Sequence, residues 1–226
     1  MECILKIRIL LRTRGAGFHQ MAEQESVFFE WLTRNGADVS LLRWPPVVSS
    51  ESGGERGVVA SALVASDQPL LMVPEALLMV PSCALRDVEI GEIVARHALR
   101  GDVLLVTLIL HEVRKGTRSF WAPYLRTLPA QPATLCDWSA FERRLLRDAE
   151  LSERAVQRTK WIEQLHARYF TTLLSMLYAD VFPEQHFSRA SFAWAWQIVQ
   201  SRAFGRRLKE TALVLLSASK RACFAF

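Results

Sequence analysis

The 226-residue sequence contains one asparagine, Asn35, and only three tyrosines, Tyr124, Tyr169 and Tyr178. Its four cysteines, Cys3, Cys83, Cys136 and Cys223, lie far apart and form no CxxC pair. That spacing argues against a zinc site and against a disulfide framework, and it fits reduced thiols in a reducing compartment. No apolar run reaches the roughly 18 residues a bilayer span requires. The longest, Val103 to Leu110, is the length of a core segment. Neither a GxSxG turn nor a P-loop occurs, so serine-hydrolase and P-loop nucleotide chemistry find no anchor. There is no internal repeat and no low-complexity stretch.

What is present is ample core material. Half the residues are hydrophobic, with seven tryptophans and twelve phenylalanines. The formal net charge is +5, but it is unevenly placed. Residues 1–20 carry +3 from Lys6, Arg8, Arg12 and Arg14 against Glu2. Residues 202–226 carry +5 from Arg202, Arg206, Arg207, Lys209, Lys220 and Arg221 against Glu210, which leaves −3 for the body between them. A nucleic-acid face belongs to a folded body, with readers among its charges. No nucleic-acid partner is therefore expected, and no membrane span; the oligomeric state is left open. The basic, almost acid-free residues 1–20 read either as a transit peptide or as an upstream extension before Met21.

Along the body, Phe28, Trp31 and Leu32 share one face of a short helix that Asn35-Gly36 stops. Trp44-Pro45-Pro46 begins an extended stretch. Residues 51–80 hold short valine-rich runs between glycine, proline and aspartate, which predict two or three strands. Beyond residue 84 the pattern is helical. Asp102 is a candidate cap for a helix that Gly116 stops, and Asp137 for one bearing Trp138, Phe141 and Leu145. A wide apolar stripe from Trp161 and Ile162 to Tyr178 predicts a long helix ending near Phe182-Pro183. Ser188 is a candidate cap for a helix on which Phe192, Trp196 and Val199 face one way. The layout is α+β, a β domain with a large helical insert.

His111-Glu112 opens like HExxH, but residue 115 is lysine, so the second ligand is missing and a surface or helix-end histidine is expected. His97, His166 and His186 have no partner at ligand spacing, and no metal is assigned. The loop Gly53-Gly-Glu-Arg-Gly57 reads as a hairpin connection or as backbone that a ligand approaches closely. Arg202, ending a tryptophan-rich helix, either caps helix carbonyls or presents a fixed guanidinium to a ligand carboxylate or carbonyl.

Four segments in order carry a resemblance. They are FFEWLTRNGA at 28–37, GERGVVA at 54–60 followed by PLLMVPEALLMV, LILHEVRKGTRSFWAPYLRTLPAQPATLCDW at 108–138, and WAWQIVQSRAFG at 194–205. Together they resemble SET-domain protein methyltransferases of the Rubisco-lysine and actin-histidine class. The resemblance implies a partial SET-type β domain with a large helical insert. It partitions the chain as a basic extension at 1–20, a first SET segment at 21–95, a helical insert at 96–187, the start of the second SET segment at 188–214 and a divergent tail at 215–226. It implies methyl transfer from S-adenosylmethionine to a side chain of a protein substrate, usually lysine, in an intracellular setting. Gly54, Glu55, Arg56 and Gly57 would give backbone contacts to the cofactor, Arg202 would bind the cofactor or the pocket edge, and Ser201 beside it would meet substrate. The Gly54-Glu55 order reverses the family's Glu-Gly. The family's later Asp-x-x-Asn-His segment and following tyrosine are not found in this sequence. The chain is therefore expected to be incomplete and inactive alone, with a non-catalytic helical interaction module as the alternative.

Overall fold

The computed structural model describes residues 7–9, 18–49, 55–66, 68–132, 134–204 and 212–213. Gly54, most of the basic extension and the whole of the tail 215–226 lie outside the described residues. The chain divides into two compact units. One comprises Met1–Met79, Thr117–Pro129 and Phe204–Phe226; the other comprises Val80–Gly116 and Ala130–Ala203.

The first unit holds strands β1 (Ile7–Ile9), β2 (Leu42–Ser49) and β3 (Glu55–Ala60), an antiparallel sheet with β3 in the middle. The β2–β3 register slips between Arg43 and Val47, across Trp44-Pro45-Pro46. Proline has no N–H to give a ladder, so the pairing must break there. Helix α1 (Phe18–Arg34) ends as expected: Gly36 takes φ +85°, a left-handed turn that favours glycine. Phe28 and Leu32 of α1 are buried. Phe28 packs on Tyr124 of the short helix α5 (Ala122–Leu125), ring centroids 5.9 Å apart. The Trp121 indole N–H donates to the Leu77 carbonyl at 3.1 Å, tying this segment to the turn at Glu75–Leu77.

Two or three short strands were expected within 51–80, and β3 is one of them. Among the described residues, 61–80 form only an isolated Asp38–Met72 bridge and a 3-10 turn. Valine-rich runs need a neighbouring strand to complete a ladder, and among the described residues this run pairs only through that bridge.

The second unit is helical: α2 (Pro81–Arg86), α3 (Gly91–Arg96), α4 (Gly101–Lys115), α6 (Ala140–Leu145), α7 (Ala149–His166), α8 (Ser175–Leu177) and α9 (Arg189–Arg202), which runs into β4 (Ala203–Phe204). A final strand, β5 (Ala212–Leu213), belongs to the first unit. Helix α4 is buried from Val103 to Glu112, and α9 buries Phe192 and the run Ala195 to Val199. Gly116 stops α4 at φ +58°. Ser188 caps α9, accepting from the Ser191 N–H at 3.2 Å.

Two expected caps are corrected. Helix α4 starts at Gly101, so Asp102 lies inside its first turn and accepts from Gln200 Nε2 at 3.0 Å. Helix α6 is capped by Ser139, in a reciprocal box with Glu142, while Asp137 sits in a preceding 3-10 turn and accepts from Gln197 Nε2 at 2.9 Å. Both aspartates tie to α9 instead. The long helix also ends earlier than expected. Helix α7 passes into a π-helical stretch, Ala167–Leu174, and α8 closes at Leu177. No described helix is long and apolar enough to cross a membrane.

Gly91, the first residue of α3, has a specific reason to be glycine. A Cβ there would lie 2.5 Å from the Leu85 carbonyl oxygen and 3.1 Å from its carbon, both backbone atoms. Gly91→Ala is therefore expected to destabilise the chain by about 1–3 kcal/mol through overpacking. Chemical denaturation checks this, and an unchanged midpoint would refute it.

Candidate functional site

The residues assigned by resemblance fall on two structural settings. Glu55, Arg56 and Gly57 open the central strand β3. Gly57 faces Val47 on one side and Arg8 on the other, and Arg56 faces Val48 and Ile9. Glu55 pairs with Ser49.

Ser201 and Arg202 form the last turn of α9. The helix is fixed along its length: Phe192, Trp196, Ile198 and Val199 are buried, and Gln197 and Gln200 donate to Asp137 and Asp102. Ser201 Oγ bonds back to the carbonyls of Gln197 at 2.7 Å and Ile198 at 3.1 Å. The half-buried Arg202 donates through Nη1 to that same hydroxyl at 2.7 Å. Ser201 thus bonds to helix carbonyls and in turn accepts from the Arg202 guanidinium.

A buried ionic cluster was not foreseen. His111, expected at a surface or helix end, is fully buried on α4. Asp87 lies beside it, Oδ1 being 3.2 Å from His111 Nε2. Lys115 Nζ bridges Asp87 Oδ2 at 2.6 Å and Glu112 Oε1 at 2.7 Å. Arg114 pairs with Glu89 and donates to the Asp180 carbonyl. Burial pushes the Asp87 carboxyl up, but the Lys115 ammonium and the Glu89 and Ile90 N–H groups outweigh it and hold it at about 2. Burial pulls Lys115 down, yet its two carboxylate partners leave it raised. Burial, then the Lys115 charge, lower His111 and keep it neutral. Asp87, His111 and Glu112 are close enough to suggest a cation site. The Lys115 ammonium already bridges the two carboxylates and takes the place between them that a cation would need. Its Glu112–Lys115 spacing was legible; burial of the whole group was not.

One surface feature among the described residues is apolar. Phe141 and Leu145 are more than half exposed, and a shallow hollow is lined by Trp138, Glu142, Leu145 and Leu146. None of the candidate site residues lines it.

No family model matches the chain. It is similar to the actin-histidine N-methyltransferase of Rhinolophus ferrumequinum, 25% identical over 176 residues that make up 76% of this chain and 29% of that protein. It is 28% identical over 204 residues to SET domain-containing protein 4 of Mus musculus, covering 85% of this chain and 44% of that one. Its structure superposes on Rubisco LSMT bound to AdoMet with a TM-score of 0.70 at 23% identity, covering 85% of this chain and 43% of the other. The chain thus spans less than half the length of the relatives it matches. These similarities agree with the resemblance read from the four segments, and the fold is a partial SET-type β domain with helical content inserted.

Proposed function

We propose that this chain, related in sequence to SET-domain methyltransferases and sharing their fold, holds the donor-handling part of an S-adenosylmethionine-dependent protein methyltransferase. The observation that carries the reading is the fold likeness to a protein whose solved structure contains AdoMet, joined to sequence similarity with a protein methyltransferase. The acceptor we put forward is a lysine ε-amine of a protein substrate, within the cell.

The residues fit that role in chemical type. Arg202 is a permanent cation held at a rigid helix end, and a guanidinium matches a carboxylate such as that of the donor's amino-acid moiety. The start of β3, with Gly54 outside the described residues and Glu55, Arg56 and Gly57 within them, would give backbone contacts. When bound, the donor supplies an activated methyl group; the protein's task is to hold donor and amine in line. A lysine amine, with an ordinary pKa near 10.4, must also be delivered neutral. In related enzymes that delivery falls to an Asn-His segment and a tyrosine. No Asn-His pair occurs in these 226 residues, so donor binding rather than turnover is the readout.

Titration calorimetry of the chain with S-adenosylmethionine is expected to give micromolar affinity. Arg202→Ala is expected to weaken it about tenfold, the effect of losing a charge-assisted hydrogen bond. Absence of binding by the wild-type chain would sink the reading. It would favour the alternative, an interaction module presenting the exposed Phe141 and Leu145 stripe.

A further inference from the structure

We infer that the exposed apolar face of α6 is a docking surface for an acidic amphipathic segment of another protein. Phe141 and Leu145 lie four residues apart on α6, which puts both on one face of the helix. Both side chains are more than half exposed, and Trp138, just before the helix, is exposed as well. The Trp138 carbonyl accepts from Arg143 Nη1, so the turn bearing the indole is tied to the helix. Trp138 and Leu145 also line the shallow hollow, together with Leu146. Apolar side chains scattered singly over a surface need no explanation, but a group of them around a hollow marks a contact site.

The charges around that face say what covers it. Residues 138–147 carry Arg143, Arg144 and Arg147 against Glu142 alone, a net +2, although the body of the chain is net negative. Arg144 lies three residues after Phe141, on the neighbouring edge of the helix. Arg144 and Arg147 are exposed, and neither joins an ion pair among the described residues. Glu142 turns back to accept from the Ser139 N–H at 2.7 Å, closing the cap of α6. Arg147 takes φ +53°, a backbone region that glycine adopts more readily. The face therefore joins apolar contact to uncompensated positive charge. A segment with leucine- or phenylalanine-type anchors and neighbouring carboxylates meets both. A second copy of this chain does not, because a two-fold pair would bring the same arginines onto one another. A hollow between side chains receives a single projecting anchor, as a protein partner supplies and a bilayer does not.

The probe is a synthetic amphipathic helical peptide of leucine, alanine and glutamate, compared by fluorescence anisotropy with a counterpart in which lysine replaces every glutamate. The wild-type chain is expected to bind the glutamate peptide about tenfold more tightly than the lysine peptide. Phe141→Ala and Leu145→Ala are each expected to weaken that binding about tenfold, the loss typical of an apolar anchor contact. Their thermal melts should be unchanged, because both side chains are exposed. Arg144→Gln combined with Arg147→Gln is expected to weaken binding about fivefold and to flatten its salt dependence. Equal binding of the two peptides, no binding of either, or full affinity in Phe141→Ala overturns the inference. Flotation with phosphatidylserine vesicles and no binding of the glutamate peptide would assign the face to lipid instead. Sedimentation as a dimer that Phe141→Ala dissolves would assign it to a second copy. None of the residues proposed to contact the donor lines the hollow, so the inference stands or falls separately from donor binding.

Discussion

Phe170→Ala is expected to lower the stability of the helical unit by about 3–5 kcal/mol, the usual cost of removing a fully buried phenylalanine. Phe170 has no exposed surface and sits at the centre of an aromatic group. Its ring lies 5.4 Å from Phe192, 5.5 Å from Phe187, 5.8 Å from His166 and 6.2 Å from Phe182. These partners come from α7, from the segment before α9 and from α9 itself, so the cavity would open where three parts of the unit meet. The surroundings are poorly able to collapse into it. Phe170 belongs to the π-helical stretch, where Thr172 Oγ bonds back to the carbonyls of Ala167 and Arg168. His166 is pinned by its contact with the Phe187 carbonyl at 2.9 Å. Phe141→Ala is the control: that ring is 62% exposed, and its loss should change stability by no more than about 0.5 kcal/mol. Denaturant melts of the two variants decide the matter. Equal costs would mean that the aromatic group is not the core of the unit.

The sequence was most legible where the physics is local. Gly36 and Gly116 mark helix ends because their left-handed φ depends only on the adjoining turn. Ser188 caps α9 through a bond three residues long, and the inward face of Phe192, Trp196 and Val199 follows from helical period alone. Asp102 and Asp137 were misread because their carboxylates are claimed by Gln200 and Gln197, 98 and 60 residues away in sequence. A cap preference near 1 kcal/mol is easily overridden by such a tertiary tie. His111 was misread for the same reason: its burial depends on Asp87, which approaches from the α2–α3 turn, and no local pattern announces that. The run 61–80 has strand composition but no partner strand among the described residues. Of the candidate site, Ser201 and Arg202 were legible through the resemblance, but the hydrogen bond joining them was not. Period and motif say which residues end a helix; which oxygen a guanidinium rests on is decided by rotamers.

Lys115→Met is expected to cost about 3 kcal/mol at neutral pH and, more tellingly, to change the shape of the stability–pH curve. The Lys115 side chain is 20% exposed, and its partners Asp87 and Glu112 only 10% and 4%. Removing the ammonium leaves two nearly buried carboxylates without their counter-charge, the situation in which breaking a buried pair is most damaging. In the wild type, three groups set the pH response. Asp87 is held at about 2 against an ordinary 3.8, so its contribution is complete above 3.8 and disappears as the pH falls toward 2. His111 is lowered from 6.5, so the unfolded chain takes up a proton that the folded chain refuses, and stability declines as the pH drops below 6.5. Lys115 is raised above 10.5, so its contribution is complete below 10.5 and is lost as the pH rises through its folded value. Stability should therefore be highest between about 6.5 and 10. In the variant, His111 no longer faces the Lys115 charge while Asp87, Glu89 and Glu112 remain, all of which favour its protonated form. Between pH 7 and 5 the variant should lose less stability than the wild type, or gain some. Denaturant melts at pH 7, 6 and 5 measure this. Parallel curves for the two proteins would show that His111 and Lys115 are not coupled and that the buried cluster does not act as one electrostatic unit.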